Sequence, residues 1–249
     1  MHYMKLHLTH NSECEKVNSL QKKSAFFQLV YNNYIRGHKM KIITYSILFV
    51  LLCVQLPLAS AGQYNSILNI GDYLPEFSNL PSISGDTLSS NQLDEDILVF
   101  VSLANHCPWV KGMDKDLVAL SNQFNSESVR IIGISMNHRE DDRLPAMAVH
   151  AQKVGYSFDY LYDESQQFGR ALGATRTPEY FVFNQQRKLI YMGALYNSPA
   201  KMSKDGSVKH INGDPNEFYV QNAILAALNN NPVEPAETRA HGCTVKYVQ

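Results

Sequence analysis

Ile97-Leu98-Val99-Phe100-Val101-Ser102-Leu103, followed by Ala104-Asn105-His106-Cys107-Pro108-Trp109-Val110-Lys111, is the stretch that decides the fold. The first seven residues have the length and the β-branched and aromatic content of a strand buried on both faces. Proline is favoured at the first position of a helix, where its missing N–H costs nothing. Beyond Pro108, Val110, Met113, Leu117 and Leu120 recur at helical spacing. A central strand therefore ends, turns sharply, and opens a helix with Cys107 at its mouth. There the unpaired N–H groups and the positive end of the helix dipole favour thiolate over thiol. The pattern is that of a reactive-thiol site.

Working outward, residues 129–136 form a second apolar strand, and Leu144–Val154 a helix with Pro145 in its first turn and Gly155 at its end. A short strand is expected over 158–162, a short helix over 165–172 stopped by Gly173, and a hairpin of 180–183 with 189–192 around Asn184-Gln185-Gln186-Arg187. An amphipathic helix over 216–228 closes the series. Alternating strands and helices followed by a hairpin imply an α/β fold, a mixed sheet with helices on both faces. Thr177-Pro178 stands just before the hairpin, and an X-Pro entering a strand belongs at an edge, a bulge or a cis bond.

The 249 residues are 45% hydrophobic and 18% charged, enough for a substantial core, and the formal net charge is −1. No stretch is basic enough for a nucleic-acid partner. Four cysteines, Cys14, Cys53, Cys107 and Cys243, are too few for a disulfide scaffold, and none forms a C-x-x-C pair. Residues 1–39 are a polar leader, untranslated if synthesis starts at Met40 and disordered otherwise. Residues 40–61 have the order of a secretory signal: Lys39-Met40-Lys41, an apolar run from Ile42 to Leu58, then Ala59-Ser60-Ala61. An uncleaved signal-anchor is the alternative, and only then is a membrane a partner. Cleavage after Ala61 leaves one domain, residues 62–249, with Cys107 and Cys243 as its thiols, in the secreted or periplasmic space, where thiols pair.

The chain resembles the thioredoxin-like redoxins of the alkyl hydroperoxide reductase/thiol-specific antioxidant type, and among them a branch with a C-N-H-C-P-x-V-K motif and a G-C-S-I-K-W tail. The match is carried by Gly71-Asp72 with Pro75 and Phe77, by Asn105-His106-Cys107-Pro108-Trp109-Val110-Lys111, and by Tyr160-Leu161-Tyr162-Asp163-Glu164-Ser165-Gln166. It continues through Gly173-Ala174-Thr175-Arg176-Thr177-Pro178 to Gly242-Cys243-Thr244-Val245-Lys246-Tyr247. The resemblance implies a thioredoxin-like fold, a cis bond at Pro178 lying against the active cysteine, and backbone groups of Thr177 offered to an extended substrate. It also implies thiol–disulfide or peroxide-linked chemistry on a protein or small-molecule substrate, an external electron donor, and no cofactor.

One departure outweighs the agreements: Ala104 stands where the branch has its first cysteine, so a local two-cysteine cycle cannot run. Three readings follow. In the first, Cys107 is the nucleophile and Cys243 the resolving cysteine, with His106, Trp109, Thr177 and Pro178 shaping the groove. Peroxidase chemistry is weakened there, because Ala104 lacks the hydroxyl and Phe100 replaces the proline of peroxiredoxins. In the second, a Cys107–Cys243 disulfide pins the tail of a redox-inactive binding module, worth about 4–5 kcal/mol of loop entropy. In the third, His106, Cys107, His241 and Cys243 hold a metal, although adjacent His106 and Cys107 are poorly placed to chelate one ion; no metal is the preferred expectation. Glu140-Asp141-Asp142 is expected to be a solvated loop, and Asp163-Glu164 to cap the next helix.

Overall fold

The computed structural model describes residues 62–125 and 128–249, all within one compact unit spanning Ser60–Gln249. The leader and signal segment, with Cys14 and Cys53, lie outside the described residues. No described helix is long and apolar enough to cross a membrane.

A short hairpin, β1 (Leu80–Pro81) with β2 (Thr87–Leu88), precedes the central strand β3 (Ile97–Leu103), every residue of which is buried. Helix α1 (Pro108–Gln123) returns the chain to β4 (Val129–Ser135), and α2 (Leu144–Val154) returns it to β5 (Asp159–Tyr162). Helix α3 (Gln167–Ala171) leads to β6 (Arg176–Thr177), then to the hairpin β7 (Glu179–Phe183) and β8 (Leu189–Gly193). The five-stranded sheet runs β5-β4-β3-β7-β8, parallel from β5 to β3 and antiparallel beyond it. This is the expected mixed sheet, and the Thr177–Pro178 bond is cis.

Period-two alternation in β3 builds both cores at once. Val99, Val101 and Leu103 face Met113, Leu117 and Leu120 of α1, with Met147 and Ala151 of α2 on the same side. Leu98 and Phe100 face the opposite core, with Phe77, Phe168 and Phe183. Phe100 meets Phe168 edge-on at 5.4 Å between centroids and Phe183 at 5.9 Å, so it is a packing residue. Helix α4 (Tyr219–Leu228) covers β3, β7 and β8 through Val220, Ala223 and Ile224.

Expected element ends shift by one to three residues, as fraying ends do. The larger difference is a second hairpin, β9 (Ala200–Met202) with β10 (Val208–His210), which the polar composition of 200–210 conceals. It packs across the first turns of α1, where a Cβ on Gly112 would meet the Ala200 carbonyl oxygen at 2.6 Å and the Lys201 Cα at 2.8 Å. Glycine at mid-helix costs about 1 kcal/mol relative to alanine, and here the loss admits a crossing backbone. Gly112→Ala is therefore expected to lower the unfolding free energy by a net ~1 kcal/mol, since overpacking costs about 1–3 kcal/mol. In an unobstructed helix the same change would raise it, so urea titration reads the sign directly.

Candidate functional site

Cys107 sits at the N-cap of α1 with extended backbone (φ −74°, ψ 122°), and Pro108 is the first helical residue. The thiol does not cap the helix. It donates to the Thr177 carbonyl oxygen at 3.1 Å, across the turn before the cis proline. Cys107, Ala104, Thr177 and Pro178 are all buried, Cys107 and Ala104 with no solvent exposure.

The tail brings the second sulfur. Strand β11 (Cys243–Thr244) pairs antiparallel with β6, with Cys243 opposite Thr177 and Thr244 opposite Arg176. Gly242 lies so close over Thr177 that any Cβ would strike the Thr177 backbone. Both cysteines are free thiols, and Cys243 packs against the buried cluster that contains Cys107. Burial, first, and then the neighbouring Cys107 push the Cys243 thiol up to about 12, while Lys201 pulls it down and Asp142 adds to the rise.

The pairing is held from several sides. Arg176 donates to the Thr244 hydroxyl at 2.7 Å, and the Val245 N–H to the Thr175 carbonyl at 3.0 Å. Gln166, fully buried, gives its amide N–H to Met136 and Lys246 carbonyls at 2.6 and 2.9 Å and accepts the Val248 N–H at 2.8 Å. The Tyr247 hydroxyl donates to the Ala174 carbonyl at 2.7 Å, and Arg170 stacks 4.5 Å from its ring centre. On the other side of β6, Glu179 accepts the N–H groups of Thr175 and Arg176 at 2.7 and 3.0 Å. Burial raises the Glu179 carboxyl above its ordinary range, against the lowering pull of those two N–H donors.

The six residues expected at the site are thus gathered at one end of β3, with Cys107 the enclosed sulfur and Cys243 the half-buried one. Two expectations are corrected. Thr177 offers its edge to the protein's own tail, so the groove expected for an extended substrate is filled by β11. Asp142, expected to be solvated, is fully buried beneath the turn and holds His106 Nδ1 at 2.6 Å; its backbone carbonyl accepts the Ser135 hydroxyl at 2.7 Å. His106 therefore braces the turn ahead of Cys107. Asp163 does cap the next helix: its carboxylate accepts the Gly169 N–H at 2.8 Å.

Trp109, half-buried, has the His241 ring 6.5 Å from its own, centre to centre, and the Lys201 ammonium 5.3 Å from its ring centre. Sequence reasoning missed Lys201, Asp142 and Gln166. The signal for Lys201 was Gly112, an unforced glycine inside a helix; Gln166 was visible only as a motif letter. The four-ligand metal reading is not assembled. Among the described residues the one grouping at ligand distance is His106, Asp141 and Asp142, without either cysteine.

A strand that delivers a Cys-Pro helix start against a cis-proline loop defines a thioredoxin-like protein. The chain belongs to the Redoxin family, whose model matches residues 69–209. It is similar in structure to an uncharacterized conserved protein from Geobacillus kaustophilus, at 26% identity and TM-score 0.65, covering 74% of this chain and 95% of that one. A hypothetical protein from Sinorhizobium meliloti 1021 matches at 23% identity and TM-score 0.64, covering 73% and 96%. A putative thiol:disulfide interchange protein DsbE from Chlorobium tepidum matches more distantly, at 17% identity and TM-score 0.48, covering 65% and 99%. No curated protein matches the chain.

Two measurements test this geometry. His106→Ala leaves Asp142 with no side-chain partner, and is expected to cost about 1.5–3 kcal/mol in urea denaturation, part of it recovered by Asp142→Asn in the same chain. Because only the thiolate reacts, alkylation of Cys243 in the reduced protein is expected to climb about tenfold per unit between about pH 7 and pH 10 without a plateau. A plateau within that range would contradict a midpoint near 12.

Proposed function

We propose that this protein is a thiol oxidoreductase whose working pair is Cys107 with Cys243, exchanging with a disulfide substrate. The observation that carries the reading is the β6–β11 pairing, which sets the tail cysteine beside the buried one at the cis-proline loop. Ala104 removes the near partner that a C-x-x-C motif provides, and the tail supplies a distant one.

In this reading the more exposed sulfur attacks first. Cys243, as thiolate, attacks one sulfur of the substrate disulfide; the other sulfur leaves as a thiolate and takes a proton from solvent. Cys107 then gives up its proton, attacks the Cys243 sulfur, and expels the second substrate thiol. The protein ends oxidised by two electrons, with a Cys107–Cys243 bond, and the substrate reduced to two thiols; an external thiol donor reverses the first change. Thiol–disulfide exchange is favoured over peroxide reduction, because Ala104 is enclosed in the core and offers no hydroxyl to an oxidant. In this reading residues 40–61 direct export, and the pair works in an oxidising compartment.

A second reading, a binding module with an inert thiol pair, draws on the enclosed Cys107 and on the raised Cys243, both of which slow the reduced protein. Peptide mapping after alkylation, before and after mild reduction, separates the two. Exchange predicts a Cys107–Cys243 cross-link that forms with a disulfide oxidant and opens with dithiols, Cys107→Ser accumulating substrate linked to Cys243, and Cys243→Ser losing exchange by at least tenfold. A cross-link that resists reduction supports the module, and two free thiols inert to the oxidant overturn exchange.

A further inference from the structure

The end of the sheet away from the thiols carries a cavity of about 460 Å³. Cys107 lies beyond the last residue of β3, whereas this cavity is bounded by its first, Ile97, and by the β7–β8 turn. The strand between them spans about 20 Å, at roughly 3.3 Å per residue. The volume falls within the roughly 300–1,000 Å³ of small-molecule sites. Ile70, Ile190, Leu228 and Val233 form its apolar wall. The polar wall is built from the carboxamides of Gln185, Gln186, Asn230 and Asn231 and the carboxylate of Asp96.

Among the described residues the lining includes no lysine, arginine or histidine. The two cations of the β7–β8 turn are engaged elsewhere. Arg187 donates to the Glu95 and Leu93 carbonyls, and the Lys188 ammonium stands 5.4 Å from the Tyr73 ring centre. Acceptors, by contrast, converge on the cavity. Gln185 gives its amide N–H to Asp96 Oδ1 at 2.7 Å and so fixes that carboxylate. Helix α4 ends here with no basic residue in its last turn, which leaves the negative end of its dipole without a charge to balance it. The N–H groups of Asn229, Asn230 and Asn231 go back to the Leu225, Ala226 and Ala227 carbonyls. The next donor, which would reach the Leu228 carbonyl, belongs to position 232, and Pro232 has no N–H. Among the described residues that carbonyl receives no hydrogen bond.

We propose that this cavity binds a linear alkyl diamine or polyamine. Its ammonium groups are received by Asp96 and the carbonyl end of α4, and its methylenes lie on Ile70, Ile190 and Val233. An ammonium offers three donors and no acceptor, which suits a wall of carbonyl and carboxylate oxygens. Its alkyl stem covers apolar surface while the charged head stays among polar groups. The same carboxylate and helix end repel an anion, and a neutral polyol leaves both charges unused. This site is separate from the thiols, and its test needs no exchange activity.

The probes are cadaverine and the matching pentanediol, each titrated at low salt into the isotope-labelled protein. Binding is read by NMR at the side-chain amides of Gln186, Asn230 and Asn231. Cadaverine is expected to shift these resonances saturably, with a dissociation constant on the order of 1 mM. Asp96→Asn is expected to weaken binding about three- to tenfold, as for a partly exposed charge pair in low salt. Asp214→Asn removes the same charge from an exposed position outside the cavity and is expected to leave binding unchanged. Asn231→Lys sets the protein's own ammonium in the cavity and is expected to abolish the shifts. All three substitutions fall on partly or fully exposed side chains, and unchanged resonances elsewhere report an intact fold. Equal shifts with pentanediol, an equal loss in Asp96→Asn and Asp214→Asn, full binding by Asn231→Lys, or no saturation by about 10 mM each overturn the proposal.

Discussion

Thr177 gives its carbonyl oxygen to the Cys107 thiol and its strand edge to Cys243, and the cysteine-bearing end of the fold depends on this one residue. Neither contact is available to an ordinary strand in the middle of a sheet, whose backbone groups are spent on both neighbours. Strand β6 is only two residues long and lies outside the five-stranded sheet, tied to it by Ser102, whose hydroxyl donates to the Arg176 carbonyl at 2.5 Å and accepts the Glu179 N–H at 3.0 Å. Ser102 is the one polar residue of β3, and it joins the core strand to the loop that receives the tail.

From that arrangement follows a difference in surroundings between the two sulfurs. In a C-x-x-C turn, one helix mouth serves both cysteines, and the dipole and free N–H groups act on the pair together. Here the helix mouth holds only Cys107, enclosed and turned toward a carbonyl. The second sulfur arrives on a strand with no helix behind it, and its charge must be balanced by side chains from other elements. A thiol in that position is reluctant to ionise, and it is correspondingly slow to leave a disulfide when an incoming thiol attacks the other sulfur.

The sheet and its cofacial helices were legible because their signals are local: β-branched runs, a Pro after Cys, a Gly after Val154. Leu144–Val154 and Ile97–Leu103 stand where periodicity puts them. The tail cysteine was legible only through family resemblance, since nothing in Gly242-Cys243-Thr244 signals which edge it joins. Asp142 was misread because burial of one acid in a run of three is decided by what lies opposite, here His106, and not by the run itself. The hairpin at 200–210 escaped notice because its residues are mostly exposed, so neither face carries an apolar stripe. What gave it a footprint was a missing side chain on its neighbour, at Gly112.

The register between β6 and β11 also has a topological consequence. Any bond joining Cys107 to Cys243 makes a covalent ring of residues 107–243, which among the described residues contains all four α-helices and every strand of the five-stranded sheet except β3. A nick in an exposed turn of that ring, at Gly155 or at Asp205-Gly206 for example, would open the backbone without releasing a fragment. The oxidised protein would keep its mass and its sheet after such cleavage, whereas the reduced one would hold together by packing alone. Oxidation state thus sets whether damage to a loop is survivable, a property that belongs to the closed ring and to neither cysteine by itself.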